Sequence, residues 1–310
     1  MSGVSYAASS FLKGVLPGFL FTEEVRGLPK NLLEERVRER FSIKSGSLEH
    51  ELKQRIWDEL GRASRFYESA ELKIMFGFNV LWNAFVLMRS YAAGKSIPYH
   101  MMYRVSFLPD FSPDTLGKSS DEPSFWENFK RMLSSYFASC GGILPDVLKE
   151  LDGEKLKTAG SLSYEVALEK SWYSLAKNVK TSQTFRSYVR LRYSFFVRRL
   201  ALQKDRARSS SLNESEIFAL LGVNQQDFLG SKDYLPVFEA SLDELPELEI
   251  RLSRKLFRNA FHEFHFRFDE SVFFSFYVIA SSIVRDIVYL LLSPSPMDSK
   301  LVAVNQIRGG

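Results

Sequence analysis

The chain contains a single cysteine, Cys140, among its 310 residues. One cysteine excludes an internal disulfide framework and fits a reducing compartment. Clean alternation of apolar and polar residues between hairpin turns is also missing, so the sequence predicts no β-sheet. The first 20 residues have no basic stretch ahead of an apolar run, and we therefore do not interpret them as a signal peptide.

The motifs of common catalytic sites are missing as well. There is no Gly-x-Ser-x-Gly elbow, and the residues around Cys140 match no thiol-enzyme signature. Gly94-Lys95-Ser96 has the ending of a phosphate-binding loop, but Arg89 stands where that loop needs its first glycine. We interpret Gly94 as a helix C-terminus instead. The sequence therefore predicts a protein that is not an enzyme and holds no cofactor.

Two histidines, His262 and His265, lie three residues apart on a predicted helix. Two imidazole nitrogens on one helical face can bind zinc. No third ligand of matching spacing accompanies them, so we interpret them as surface or interface histidines and expect no bound metal. A helical enzyme with a metal at His262 and His265 is kept as an alternative, and it predicts stoichiometric zinc in the purified protein.

The most apolar stretch of the chain lies at 271–292. A membrane-spanning helix needs about 20 apolar residues. Arg285 and Asp286 interrupt this stretch, and a central arginine is costly in lipid. The sequence therefore predicts a buried core helix, while contact with a membrane through another protein stays open.

Helical periodicity dominates the rest of the chain. Hydrophobic residues make up 45% and charged residues 25%, which is a globular composition. Apolar residues recur at spacings of three and four in the segments 31–41, 47–67, 125–137, 163–179 and 247–266. These segments predict an all-α fold.

Short motifs recur in the two halves of the chain. GVLPGFL at 14–20 and GILPDVL at 142–148 share glycine, a β-branched residue, leucine and proline in that order. Aromatic pairs then follow at 66–67 and 172–173, each near the end of a predicted helix. Recurrence of this kind indicates an internal repeat.

Longer segments align in the same way. The segment 75–95 aligns with 190–208, and a weaker third copy runs from 254–261 to the apolar stretch at 271–292. We interpret these as a helical unit that is used about three times. Chance alignment of amphipathic helices is the alternative.

Positive charge is concentrated in the segment 185–208. It carries seven arginines, one lysine and one aspartate, whereas the whole chain has a net charge of only +4. As a helix, the segment has one apolar stripe, formed by Val189, Tyr193, Phe196 and Leu200. Arginines on the other faces form a basic ridge, which we predict to bind a partner. Its candidate residues are Arg190, Arg192, Arg198, Arg199 and Arg206.

The partner of the basic ridge is predicted to be acidic protein surface. A nucleic-acid surface would place exposed aromatic residues between the cations for stacking, but here most aromatics lie on the apolar stripe. Arginine pairs well with carboxylates, such as those of the acidic stretch 241–249. A helical nucleic-acid-binding protein that uses 185–208 is the alternative, and it predicts binding that weakens steeply with salt.

Four parts of the chain together resemble the C subunit of the prokaryotic V-type (A-type) ATPases, the homologue of the eukaryotic vacuolar ATPase d subunit. YAASSFLKGVLPGFLFTEEVRGL at 6–28 resembles the opening of that family. FGFNVLWNAFVLMRSYAAGKS at 76–96 resembles its helix that ends in a Gly-Lys turn, with Asn79 as the candidate for the family's asparagine. Segments within 141–200 and 252–292 follow the order of the later units.

The last helix departs from the family pattern. The family usually carries a Lys-Glu pair, a further Glu and an Asn there, whereas Ser281, Ser282, Val284 and Ile287 stand near those positions here. The chain therefore resembles a divergent member.

The resemblance implies three similar helical bundles around a pseudo-threefold axis, in the shape of a funnel. On this chain the units would be 1–110, 111–215 and 216–310. It also implies a non-catalytic central-rotor subunit of a rotary motor for ion or proton transport, cytoplasmic and peripheral on the membrane. Its partners would be the central stalk subunits and the membrane proteolipid ring, with membrane association through these partners and no nucleic acid bound.

A proline-rich segment at 96–124 offers a second candidate interface. Its aromatic residues Tyr99, Tyr103 and Phe107 are candidates for contact with a partner. Packing within the loop or against the core is the alternative.

Overall fold

The structure is a computed structural model of the chain. It describes residues 3–19, 28–44, 46–67, 69–104, 122–204, 236–237, 240–241, 243–293 and 301–303. Over these ranges the regular structure is helical and no strand occurs. The all-α fold predicted from the sequence is confirmed.

The described ranges include eleven α-helices. They are α1 (Gly3–Val15), α2 (Lys30–Arg40), α3 (Leu48–Ser64), α4 (Ala70–Ala92), α5 (Glu122–Ser139), α6 (Asp146–Lys149), α7 (Gly153–Ala159), α8 (Leu162–Ala176), α9 (Gln183–Lys204), α10 (Leu245–Phe266) and α11 (Ser271–Leu292). The five segments with helical periodicity correspond to α2, α3, α5, α8 and α10, and their ends agree to within a few residues.

The chain divides into two compact units. Unit 1 comprises residues 1–67, 180–191 and 239–310, and unit 2 comprises 68–179 and 192–238. The boundary at 191–192 lies inside α9. The division into three helical units at 1–110, 111–215 and 216–310 stays a prediction.

Unit 1 is built around α11. This helix packs against α10, α3, α1 and α2, and its phenylalanines Phe273, Phe274 and Phe276 are buried. Each buried phenylalanine stabilises the fold by about 1.5–3 kcal/mol. On the α3 side, the Trp57 ring lies 4.8 Å from the Tyr277 ring. Because α11 is apolar on most of its surface, it needs helices on several sides.

Unit 2 is built around α4, which packs against α8, α7 and α5. Ser69 begins this helix, since its hydroxyl accepts a hydrogen bond from the Leu72 amide at 3.0 Å. Gly94 ends it with a positive φ of 64°. The Gly94 and Lys95 amides both donate to carbonyls of the last turn at 2.9 Å, as expected of a glycine C-cap. The interpretation of Gly94 as a helix C-terminus is confirmed.

Both central helices have the length and composition of membrane spans. By these two criteria alone, α4 and α11 qualify as candidates among the described residues. In the folded protein, 78% of the most apolar 18-residue stretch of α4 is buried, and 56% of the corresponding stretch of α11. Core helices of globular proteins show the same composition. The burial agrees with the prediction that 271–292 is a core helix.

Gly77 allows two large side chains to approach α4 closely. A Cβ atom at this position would lie 2.2 Å from both Trp172 Nε1 and Tyr136 Oη. The Trp172 indole donates to the Ile74 carbonyl at 2.8 Å, and the Tyr136 hydroxyl donates to the Lys73 carbonyl at 3.3 Å. Glycine in a helix interior normally costs about 1 kcal/mol, but here it makes room for both contacts.

We expect Gly77→Ala to lower the free energy of unfolding by about 2 kcal/mol or more, because overpacking outweighs the better helix propensity of alanine. Gly14→Ala is the matched control, since a Cβ atom there meets nothing within 4 Å. Its effect should stay below about 1 kcal/mol. Urea denaturation followed by circular dichroism measures both. Equal effects at the two sites would contradict this role of Gly77.

Candidate functional site

The arginines of the predicted basic ridge differ in their surroundings. Arg190 and Arg199 are exposed on α9, Arg198 is half-buried, and Arg206 lies outside the described residues. On the predicted apolar stripe, Val189 and Tyr193 are buried. Phe196 is half-buried, and the Leu200 side chain lies outside the described residues. Burial is thus shown for two of the four stripe residues, and binding of a partner to the arginines stays a prediction.

Arg192 forms an ion pair inside unit 2. Both of its terminal nitrogens donate to the carboxylate of Glu169 on α8, and the Nη2–Oε2 distance is 3.1 Å. The Glu169 side chain is fully buried, and the Arg192 side chain is only 29% exposed. The guanidinium also lies 5.1 Å from the Phe78 ring centre and 5.2 Å from that of Trp172. Arg192 therefore stabilises unit 2, a role that its place in the basic ridge did not reveal.

Burial shifts the pKa values of the groups around this ion pair. Burial raises the pKa of Glu169, and Arg192 opposes that rise. Burial and the nearby Glu169 charge also raise the pKa of Tyr193. The Tyr193 ring stacks on Tyr173 with centres 4.0 Å apart. A tyrosine with a raised pKa keeps its proton and is a weaker acid.

A second arginine–glutamate pair lies one turn away on α8. The Glu165 carboxylate accepts from Arg89 Nε at 2.9 Å and from Arg89 Nη2 at 2.5 Å. Ser161 Oγ donates to the same carboxylate at 2.7 Å. Glu165 and Glu169 thus join α8 to α4 and to α9 through bidentate contacts, the strongest kind of side-chain hydrogen bond.

The two candidate zinc ligands are exposed and contact their own helix. His265 Nδ1 lies 2.8 Å from the Phe261 carbonyl, and the His262 ring centre lies 4.6 Å from that of Phe266. Within the part of the chain that the structure describes, no group of three or more His, Cys, Asp or Glu residues could hold a metal ion. This agrees with the interpretation of His262 and His265 as surface residues.

Cys140 follows the end of α5 in a buried position. Burial is the main cause that raises the pKa of its thiol. The next two residues form a helix C-cap, because Gly141 has a φ of 77° and the Gly142 amide donates to the Phe137 carbonyl at 2.8 Å. A thiol with a raised pKa is a weak nucleophile at neutral pH.

The proline-rich segment is anchored to α4 by Asn83. This buried side chain donates to the Tyr103 carbonyl and accepts from the Tyr103 amide, both at 2.8 Å. Tyr103 is only 6% exposed, Tyr99 is half-buried, and Phe107 lies outside the described residues. For Tyr103 the packing alternative is confirmed. The signal for Asn83 was an asparagine within an apolar helix, since a buried amide needs partners.

The described part of the chain contains three pairs of consecutive long helices. The pairs are α3–α4, α8–α9 and α10–α11, joined by the short connectors 65–69, 177–182 and 267–270. The second helices of the pairs have nearly the same length, at 23, 22 and 22 residues. The segments that align in the sequence overlap these helices, although 205–208 lies outside the described residues and the third copy also includes 254–261 of α10.

Three hydrogen bonds join these pairs in a regular way. Each bond joins the end of the first helix of one pair to the beginning of the second helix of another pair. The end region includes the residue that directly follows the helix turn, as for Tyr67. We call them the helix-end contacts. They are Tyr67 Oη to Glu270 Oε2 at 3.1 Å, Trp172 Nε1 to the Ile74 carbonyl at 2.8 Å, and Ser182 Oγ to Glu263 Oε2 at 3.1 Å.

Ser182 also begins α9, because its hydroxyl accepts a hydrogen bond from the Phe185 amide at 3.0 Å. The sequence indicated the aromatic members of the helix-end contacts, at 67 and 172, but not Ser182 and Glu263.

Comparison of the chain with protein-family models, with curated proteins and with solved structures returns no match.

The effect of Glu169→Gln on stability should depend on pH. The raised pKa of Glu169 means that the folded state holds its proton more tightly than the unfolded state. Its contribution is fully present below the unfolded pKa and is lost as pH rises through the folded pKa. The free energy of unfolding of the wild type, relative to that of Glu169→Gln, should therefore decrease as pH rises from about 4.5.

Urea denaturation at pH values between about 4 and 7 measures this difference. Glu154→Gln, an exposed carboxyl on α7, is the matched control for the same chemical change. A difference between wild type and Glu169→Gln that stays constant or grows with pH would contradict the raised pKa.

Proposed function

We propose that this chain is a non-catalytic coupling subunit of a V-type ATPase. In this role it joins the central stalk of the soluble head to the membrane proteolipid ring and rotates with them during ion transport. The proposal combines the family resemblance of the sequence with the recurring helix pairs of the fold. It includes three similar helical bundles around a pseudo-threefold axis, in the shape of a funnel.

The order of the helix-end contacts carries the proposal. The second helix α4 meets the first helix α8 of the next pair, and Ser182 at the beginning of α9 meets α10 of the pair after it. The second helix of the third pair, α11, is joined to the first pair by Tyr67, which follows α3 and bonds to Glu270 at the beginning of α11. A contact order that returns to its beginning is what a pseudo-threefold repeat of helix pairs requires, and it supports that arrangement.

Recurring turns give further support to an internal repeat. Leu16 and Leu144, each directly before a proline, are both buried. Leu16 directly follows the end of α1, and Leu144 comes a few residues after the end of α5. The two motifs that align in the sequence thus have similar places, after a helix and with the leucine side chain in the core.

The ion pairs and hydrogen bonds of buried polar side chains fit a mechanical role. Arg89 and Arg192 pair with the buried carboxylates of Glu165 and Glu169 inside unit 2, and Asn83 binds the backbone of Tyr103. Breaking such a pair would leave a buried charge without its partner, which typically costs about 3–5 kcal/mol. Contacts of this kind stiffen a body that must transmit torque, and that task needs no acid–base residues.

Isolation of the chain from its own membranes tests the proposal. A tagged copy recovered from detergent-solubilised membranes should bring with it a small proteolipid and the stalk and head subunits of a rotary ATPase. An unrelated helical protein with the same tag is the control. Recovery of the chain without these subunits, from membranes shown to contain the ATPase, would overturn the proposal.

The exposed arginines of α9 are the proposed contact with an acidic surface of the stalk. We expect Arg190→Glu with Arg199→Glu to weaken stalk binding at least about tenfold, because charge reversal at an interface adds repulsion to the lost attraction. Arg131→Glu with Lys155→Glu is the control, since both residues are exposed and the charge change is equal. Pull-down at two salt concentrations measures the effect, and equal loss in both variants would exclude the ridge.

The alternative function is a helical nucleic-acid-binding protein that uses the same segment, 185–208. Internal pairing of Arg192 with Glu169 removes one cation from that surface, and Arg199 lies 5.7 Å from the Phe195 ring centre of its own helix. In nucleic-acid binding, the logarithm of the binding constant falls with the logarithm of the salt concentration, with a slope of about 0.9 for each phosphate contact. Nucleic acid in the isolated material with that salt dependence would favour the alternative.

A further inference from the structure

Three exposed aromatic rings belong to three different parts of unit 1. Tyr6 is 57% exposed, Phe66 is 45% exposed and Phe266 is 73% exposed. Tyr6 belongs to α1, Phe66 lies two residues after the end of α3, and Phe266 is the last residue of α10. Single exposed apolar side chains are common on protein surfaces, whereas a group of them at one place marks a surface for interaction.

Contacts of α1 bring these rings to the same end of unit 1. The Tyr6 ring stacks on Phe268, two residues after Phe266, with ring centres 5.3 Å apart. The Phe66 ring centre lies 6.3 Å from that of Phe11 on α1. Helix α1 therefore contacts both chain segments that carry the other exposed rings. We call the rings of Tyr6, Phe66, Phe266 and Phe268 the aromatic end of unit 1.

Basic side chains accompany the aromatic end. The Lys13 ammonium lies 3.4 Å from the Phe268 ring centre, and it donates to the His265 carbonyl at 3.0 Å. Arg65 and Arg267 are exposed, and each is a chain neighbour of an exposed ring. Each of these three cations is therefore next to a ring of the aromatic end.

Three carboxylates near the aromatic end accept hydrogen bonds within the fold. Asp269 accepts from Arg267 Nη1 at 3.2 Å, although the Arg267 side chain stays more than half exposed. Glu270 accepts from the Tyr67 hydroxyl, and Glu263 accepts in another helix-end contact. These negative charges are used inside unit 1, so the outward surface presents mainly rings and cations.

Aromatic rings beside cations match the boundary zone of a lipid bilayer. Aromatic side chains are enriched at the level of the headgroups, and basic residues close to a membrane are attracted to anionic lipids. Phe266 is the most exposed of the three rings and protrudes from the end of α10. A fluid lipid layer accepts a protruding ring without a preformed pocket, whereas a protein partner needs a complementary shape.

We propose that the aromatic end of unit 1 binds directly to the surface of a membrane that contains anionic lipids. The rings of Phe66 and Phe266 enter the boundary between headgroups and acyl chains. Lys13, Arg65 and Arg267 lie at the level of the lipid phosphates. This contact needs no other protein, and it goes beyond the coupling role, in which the chain reaches the membrane through its partners.

Flotation of the purified full chain with lipid vesicles tests the proposal. One set of vesicles is phosphatidylcholine with about 30% phosphatidylserine, and the other is phosphatidylcholine alone. We expect the chain to bind the anionic vesicles at least about tenfold more tightly than the neutral ones, and salt to weaken this binding. Equal binding to both vesicles, or binding to polyglutamate but to neither vesicle, would overturn the proposal. The second result would assign the surface to an acidic protein.

Phe66→Ser with Phe266→Ser removes the rings that enter the lipid. We expect this variant to bind the anionic vesicles at least about tenfold more weakly than the wild type, because the buried apolar area is lost. Ile143→Ser with Leu162→Ser is the matched control, since both are exposed apolar residues of unit 2. Circular dichroism shows that each variant is folded. Unchanged binding of the ring variant, or equal loss in both variants, would exclude the aromatic end.

A second measurement keeps an aromatic ring in place. Phe266→Trp puts an indole at this position, and lipids with brominated acyl chains quench indole fluorescence on contact. We expect brominated anionic vesicles to quench the fluorescence of this variant more strongly than that of the wild type or of Ile143→Trp. Equal quenching of all three proteins would mean that the side chain at 266 does not enter the lipid, and the proposal would be wrong.

Discussion

Two largely apolar helices, α4 and α11, each organise one of the two compact units of this protein. A surface helix needs cover on one face only, but α4 and α11 need helices around most of their circumference. The chain meets this need with one bundle around each. Long-range packing of this kind stabilises the helices far more than their own propensities do. It also leaves the buried polar groups on these two helices dependent on partners within the fold.

The partners of those polar groups explain much of the remaining structure. Asn83 of α4 holds the segment around Tyr103 through two backbone hydrogen bonds. Asp286 of α11 holds the next described segment by accepting the Val302 and Ala303 amides. In both bundles, a polar side chain in an apolar helix anchors a segment without regular structure by its main chain. The helices thus position the loops, and the loops complete the cover of the helices.

The sequence predicts the helices well, because each depends on spacing within about 20 residues. The apolar periodicity of 163–179 predicted α8, and Gly94 predicted the end of α4. Apolar character with an interrupting Arg285–Asp286 pair predicted a core helix at 271–292. These features are local, and local chemistry determines them.

The partners of individual charged residues could not be predicted in this way. Arg192 was assigned to the basic ridge of 185–208, yet it pairs with Glu169 from another helix. Ser182 and Glu263 are separated by 81 residues in the chain. Spacing shows which face of a helix carries a residue, but not which helix covers that face. The helix-end contacts became visible only when the pairing of the helices was known.

The proposed function depends on three helix pairs in one rotating body. An electron cryo-microscopy map of the V-type ATPase from cells that make this chain tests this claim most directly. We predict helical density with three similar lobes between the central stalk and the membrane ring, into which α4, α9 and α11 fit as equivalent helices. A complete rotor in which another protein fills that position would contradict the claim.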